Sequence, residues 1–126
     1  MGEKLKNSEG NVEGLLLTPL KIINVQGGDV LHAMKSNDYG YAGFGEAYFS
    51  IIEPGVVKAW KRHRYMTMNL IVPIGCIRFV VHDDRHQSSS YGIFQEITLA
   101  RHNYHRLTVP PMVWFGLHGM VEQTSM

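Results

Sequence analysis

Cysteine is almost missing from this chain of 126 residues: Cys76 stands alone. An intrachain disulfide and any Cys-based zinc site are thereby excluded. Set between Gly75 and Ile77 at the head of an apolar run, Cys76 reads as a small buried hydrophobe, and a reducing, cytoplasmic setting is expected. No run approaches the ~18 apolar residues that a membrane-crossing helix needs. The opening MGEKLKNSEGNVEG has no apolar stretch and does not read as a signal peptide. An excess of one charge is missing too. Twelve Lys and Arg against eleven Asp and Glu leave a net charge of +1. Nothing draws the whole molecule toward nucleic acid or an anionic membrane, so any anion must be held by a local cluster. A sustained helical period is likewise absent.

What is present is a succession of short β-prone runs. The 44% hydrophobic content and this length suit one domain with one core. Residues 1–13 are polar and glycine-punctuated and read as a flexible N-terminal tail, with 14–126 as a single β-barrel domain. Residues 15–25 (LLLTPLKIINV) are strand-like, and Pro19 argues for an edge or a bend. Gly27-Gly28-Asp29 is a turn, residues 30–35 a short alternating strand, and residues 36–45 a loop. Residues 46–52 (EAYFSII) are again strand-like and end at the turn Glu53-Pro54-Gly55. Further strands are expected at 56–63, 68–72, 76–82, 92–99, 106–109 and 113–117. About nine strands at ~8–12-residue spacing, with Gly and Pro turns between them, predict an all-β antiparallel sandwich or barrel. No strand evidently closes such a barrel, so residues 120–126 are expected to do so, unless the natural protein continues beyond them.

Chemistry concentrates in residues 55–75, GVVKAWKRHRYMTMNLIVPIG. On regular alternation Ala59, Lys61 and His63 share one face of a strand, and Lys58, Trp60 and Arg62 share the other. The stretch fits the frame of a cupin-type jelly roll, G-x5-H-x-H-x3/4-E-x6-G, but carries Lys61, His63 and Met68 at the ligand positions. The second half of that pattern, P-x-G-x2-H, falls on residues 110–115 and ends in Phe115 rather than histidine. An ammonium and a phenyl ring do not bind a divalent cation, so no metal is expected. The spacing of His102 and His105 does not put both rings on one strand face, and they read as a solvated turn. Asp83 and Asp84 beside Arg85 read as a structural ion pair rather than an acid–base pair. Trp60, Tyr65, Trp114 and Phe115 are candidates for stacking on a base or a sugar, set against the commoner role of core aromatics. Lys58, Lys61, Arg62, His63 and Arg64 form a cationic run that suits a phosphate or diphosphate better than nucleic acid.

Three blocks in order, GVVKAWKRH, VVHDDRHQSSSYG and LTVPPMVWFG, resemble G-V-L-R-G-L-H-Y-Q, V-D-x-R-x-x-S-P-T-F-G and I-P-x-G-F-A-H-G-F. These belong to the dTDP-4-dehydrorhamnose 3,5-epimerases and their short sugar-epimerase-like relatives, and the resemblance spans residues 14–119. It implies a metal-free, cofactor-free cupin fold, usually a homodimer, acting on nucleotide-linked 4-keto-6-deoxy sugars in surface-polysaccharide synthesis. It sets Lys58 in place of an arginine on the diphosphate, Glu46 and Tyr48 near the polar lining of the nucleotide-sugar site, and Lys61 in place of the basic histidine. Phe115 stands for a second pocket histidine and Met68 for a pocket lysine, while the general-acid tyrosine has no equivalent. Lys61 and His63 are thus the catalytic candidates, and Glu46, Tyr48, Lys58, Arg62, Arg64 and Trp114 the substrate-binding ones. A lysine serves as base when burial and neighbouring cations favour its neutral form. The alternative reading is a cupin-like binding or interaction module that has lost the catalytic histidines.

Overall fold

The computed structural model describes residues 11–121, and its regular structure is entirely β. The strands are β1 (Leu16–Pro19), β2 (Ile22–Ile23), β3 (Val30–Leu31), β4 (Val57–Lys61), β5 (Met68–Ile71), β6 (Cys76–His82), β7 (Phe94–Ala100), β8 (His105–Val109) and β9 (Trp114–Gly119). They form a three-stranded sheet in the order β1-β8-β5, a four-stranded sheet in the order β4-β9-β6-β7, and the small ribbon β2-β3. Every pairing is antiparallel. The expected two-sheet antiparallel β fold is therefore present.

The core lies between the two sheets. In β6, Phe79 and Val81 are buried while Arg78, Val80 and His82 turn outward, the period-2 pattern of a strand with one wet face. Leu107 and Val109 of β8, Ile97 and Leu99 of β7, Phe115 of β9 and Val72 after β5 meet them. Each such side chain contributes roughly 1.5–3 kcal/mol by leaving water. The middle strand β8 is covered on both sides. Its Arg106 is wholly buried under residues 33–39, donating from Nη1 to Ala33 O (2.6 Å) and from Nη2 to Tyr39 O (3.0 Å). As Pro19 suggested, β1 lies at a sheet edge and ends on that proline.

Three expectations are corrected. Residues 46–52 do not form a strand: among the described residues no sheet edge pairs with them, and Phe49 and Ile51 stand 98% and 87% exposed. The strand expected at residues 30–35 contracts to Val30–Leu31, held by the ribbon with β2. The folded body also starts before residue 14. Val12 is 3% exposed within the core and donates to Gln95 Oε1 (2.7 Å), and Glu13 N donates to Ser90 Oγ (2.7 Å). The remainder of the tail, residues 1–10, and most of the closing segment, residues 122–126, lie outside the described residues.

The start of the body is fixed by the loop after β6. Asp83 is fully buried, and its carboxylate accepts from Arg85 Nε (2.8 Å), Arg85 N (3.0 Å), Ser88 Oγ and Ser90 Oγ. Arg85 Nη2 reaches on to Glu13 O (2.6 Å), and Ser89 N donates to Glu13 Oε1 (2.9 Å). Asp83 and Arg85 thus form the structural ion pair expected of them. Burial alone would raise the Asp83 carboxyl, but the bonds from Arg85, Ser88 and Ser90 outweigh it and hold it well below the usual carboxylate range. A carboxyl depressed in the folded state stabilises it above its ordinary value of 3.8, and the stabilisation is lost as pH falls below that value. Asp83→Asn is expected to cost about 3 kcal/mol at pH 7 by stranding the guanidinium and the hydroxyls. In urea titrations at pH 7 and pH 3 the parent should lose stability on acidification more steeply than this variant. Equal slopes would contradict the assignment.

Candidate functional site

The site is built on an irregularity in β4. Lys58 pairs with Leu117 and Lys61 with Phe115, so three steps along β4 match two along β9. One extra residue is inserted, which is a β-bulge. Directly paired residues of an antiparallel ladder share a face. Phe115 is buried in the core and Leu117 packs against it, so Lys58 and Lys61 both lie on the inward side. Ala59 and Trp60 fall opposite Gly116. Regular alternation would have separated Lys58 from Lys61, and that expectation is corrected here. The partner strand holds the one legible signal: a glycine inside a strand marks a bulge or a close backbone approach. A Cβ on Gly116 would stand 2.9 Å from the Ala59 Cβ.

Next to the two lysines sits His63. Its ring stacks on Phe115 at 6.1 Å between centroids, 29° between planes, and its backbone oxygen accepts from Met112 N at 2.7 Å. His63 Nε2 is buried and has no hydrogen-bond partner among the described residues. Met68 in β5 also packs against the core. The two lysines are exposed at the rim of this inward-facing group. Two ammonium groups on one side of a strand, with an unengaged imidazole beside an apolar floor, can grip an anion and receive or deliver a proton. All of them except the lysine pairing were foreseeable from the cupin frame.

The other side of the same sheet carries an aromatic recess of about 280 Å³, lined by Trp60, His82, Phe94 and Trp114. His82 lies flat on Phe94 (3.9 Å, 20°), Trp60 meets Phe94 edge-on (6.3 Å, 62°), and His82 Nδ1 donates to Ile93 O at 3.2 Å. Arg62 covers Trp114, with its Cζ 4.5 Å from a ring centroid. Asp84 ties the two together. It accepts from Trp114 Nε1 at 2.9 Å and pairs with Arg62 Nη1 at 3.6 Å. Arg62 and Trp114 thus stay with Trp60, away from Lys58, Lys61 and His63. His82 and Phe94 were not singled out by sequence, because both occur as ordinary outward residues of alternating strands.

Glu46, Tyr48 and Arg64 are exposed, and among the described residues no hydrogen bond or ion pair joins them to the lysines. His102 is exposed in a turn, whereas His105 opens β8 with its Nδ1 buried. No group of three His, Cys, Asp or Glu arranged to hold a metal occurs among the described residues.

No family model matches the chain. The probable low-salt glycan biosynthesis epimerase Agl13 of Haloferax volcanii is 30% identical over 81 residues, 64% of this chain and 52% of that protein. The chain therefore spans about half the length of this curated relative. Among solved structures, a dTDP sugar isomerase from Desulfovibrio desulfuricans is 44% identical and matches with a TM-score of 0.83, covering 86% of this chain and 69% of that one. The RmlC epimerase of Legionella pneumophila, solved in complex with dTDP-4-keto-L-rhamnose, shares the fold at a TM-score of 0.77 and 17% identity, covering 96% of this chain and 65% of that one.

Both tryptophans of the chain, Trp60 and Trp114, border the aromatic recess, so intrinsic fluorescence reports on it directly. Gly116→Ala is expected to push on the bulge, lower stability by roughly 1–3 kcal/mol through overpacking, and shift the tryptophan emission. An unchanged urea midpoint and spectrum would show that the bulge does not depend on Gly116.

Proposed function

The chain belongs to the dTDP-4-dehydrorhamnose 3,5-epimerase-like cupin family, and from that premise we propose that it takes a nucleotide-linked 4-keto-6-deoxy sugar and moves a proton on it, as an epimerase or isomerase of surface-polysaccharide synthesis. The observation that carries this reading is the β4 bulge, which sets Lys58 and Lys61 side by side on the inward face next to His63. Two lysines match the charge of a diphosphate as point charges, in place of the fork an arginine would offer. Arg64, exposed three residues beyond Lys61, is the further cation that this reading assigns to the diphosphate.

In the reaction Lys61 or His63 takes the proton from the carbon beside the ketone. The C–H electron pair moves into the carbonyl to give an enolate, and a proton is returned to carbon from solvent or from the same group. The neighbouring ammonium stabilises the oxyanion as charge develops. No cofactor enters the scheme. A second reading, binding without turnover, is favoured by Phe115 and Met68, which fill positions where this family carries a histidine and a lysine. The two readings differ in one observable: solvent deuterium entering a dTDP-4-keto-6-deoxyhexose beside the ketone. Exchange is expected, with Lys61→Ala and His63→Ala each reducing it by roughly 10²–10⁴-fold. Ligand-dependent stabilisation without any exchange at high enzyme would decide for the binding module.

The domain acts as a homodimer in this reading, in a cytoplasmic setting that suits its single free Cys76. Support for pairing comes from residues 44–52, where Phe44, Tyr48, Phe49 and Ile51 are all strongly exposed, a run of large apolar side chains of the kind that marks an interface. Glu46 and Tyr48 ride on that segment, and pairing is what would bring them against a cleft. Phe49→Asp is expected to convert a dimer to a monomer in light scattering while leaving the circular dichroism of the β fold intact. A monomeric parent protein would refute the dimer.

A further inference from the structure

We propose a second ligand site on the opposite side of the molecule, on the outer face of the β1-β8-β5 sheet, that takes a small phosphate-bearing molecule. The face is roofed by residues 32–39, leaving a cavity of about 350 Å³. Two buried polar side chains that line it each keep one atom without a partner among the described residues. Thr18 is 6% exposed with Oγ1 unbonded, and Arg106 is 0% exposed with Nε unbonded. They stand directly opposite each other in the β1–β8 register, so both unengaged groups lie on one face.

Both are hydrogen-bond donors, and Arg106 Nε is a donor only. Leaving donors unpaired out of water is costly, and the acceptors bonded to Arg106 are taken by its terminal nitrogens. Arg106 Nη1 is spent on Ala33 O, and Nη2 on Tyr39 O. Asp38 Oδ2 is drawn to Lys35 N at 2.8 Å and Arg106 Nη1 at 3.4 Å. What two leftover donors lack is an acceptor with several lone pairs. The charge around them has the matching sign: Lys21, Lys35 and Arg106 against Asp38 give 3 − 1 = +2, with His32 also on the wall. An oxyanion satisfies the donors and the charge together. The volume leaves room for a small organic group on the phosphate, with the exposed Lys21 and Lys35 among the lining residues.

The site shares no residue with the β4 cleft, so it stands or falls independently of the nucleotide-sugar reading. The test is a thermal-melt titration of the full chain with inorganic phosphate at constant ionic strength held by sodium chloride, with sodium acetate in parallel. Phosphate should raise Tm along a saturating curve, and acetate should not. The double variant Lys21→Ala/Lys35→Ala and the single variant Thr18→Val should each weaken the apparent affinity about tenfold or more, as expected for losing a hydrogen bond to a charged group. The outer-face variants are compared in a Lys58→Ala background, so that the β4 cleft does not contribute to the phosphate response. Without phosphate, Thr18→Val should melt no lower than the parent, because it removes a hydroxyl that has no partner. The proposal fails if the phosphate response in that background is absent or non-saturating, if acetate matches it, or if the outer-face variants leave it unchanged. It fails equally if Thr18→Val melts lower without phosphate, since the hydroxyl would then be engaged within the protein.

Discussion

The buried carboxylate of Asp83 is the interaction on which the rest of this structure leans. A fully dehydrated carboxylate is tolerable only when its lone pairs are filled, and here Arg85, Ser88 and Ser90 fill them. The same hydroxyls and guanidinium then reach Glu13, so closing the loop after β6 also fixes where the chain enters the fold. Val12 and Leu15 follow into the core. Asp84, the next residue, turns away and holds Arg62 and Trp114 on the outer side of the sheet. Two adjacent acids thus serve two sides of the sheet. One sets the fold and the other orients the aromatic recess.

The second constraint is the β4 bulge. In an unbroken strand the cations of residues 58–64 would divide between two faces, and no concentrated charge would form on either. One extra residue opposite Gly116 brings Lys58 and Lys61 together and sends Trp60 outward. The arrangement keeps a cationic grip beside His63 while Phe115 supplies an apolar floor where another base would otherwise stand. On the proposed reading, such a site is better equipped for holding an anion than for dividing proton transfer between several groups.

Residues 44–52 show the opposite situation, in which local preference is strong and tertiary pairing is missing. Tyr, Phe and Ile favour a strand, but a strand exists only through a ladder with a neighbour. Among the described residues no strand edge pairs with this segment, and most of its side chains remain in water. The misplaced strand and the unattached positions of Glu46 and Tyr48 therefore share one cause. Sequence carries side-chain preference at those residues and nothing about where the partner edge lies.

The chain's own order of residues determined a good deal. Short alternating runs with Gly and Pro between them dictate an all-β fold because period-2 patterns bury one face of a strand. The spacing from Gly55 through His63 to Gly75, with Lys61, Met68 and Phe115 at the ligand positions, marks a cupin frame whose side chains do not suit a metal. The Asp83–Arg85 ion pair is legible because the two residues are only two apart. The tertiary structure decided everything that hangs on cross-strand register. It moved Lys58 to the side of Lys61, assembled His82 and Phe94 with the two tryptophans, and buried Arg106 opposite Thr18 with donors left over. Register is set by which distant strand lies alongside and by a single inserted residue. That information is spread over strands that lie far apart in the chain as well as near, and is carried by no local pattern.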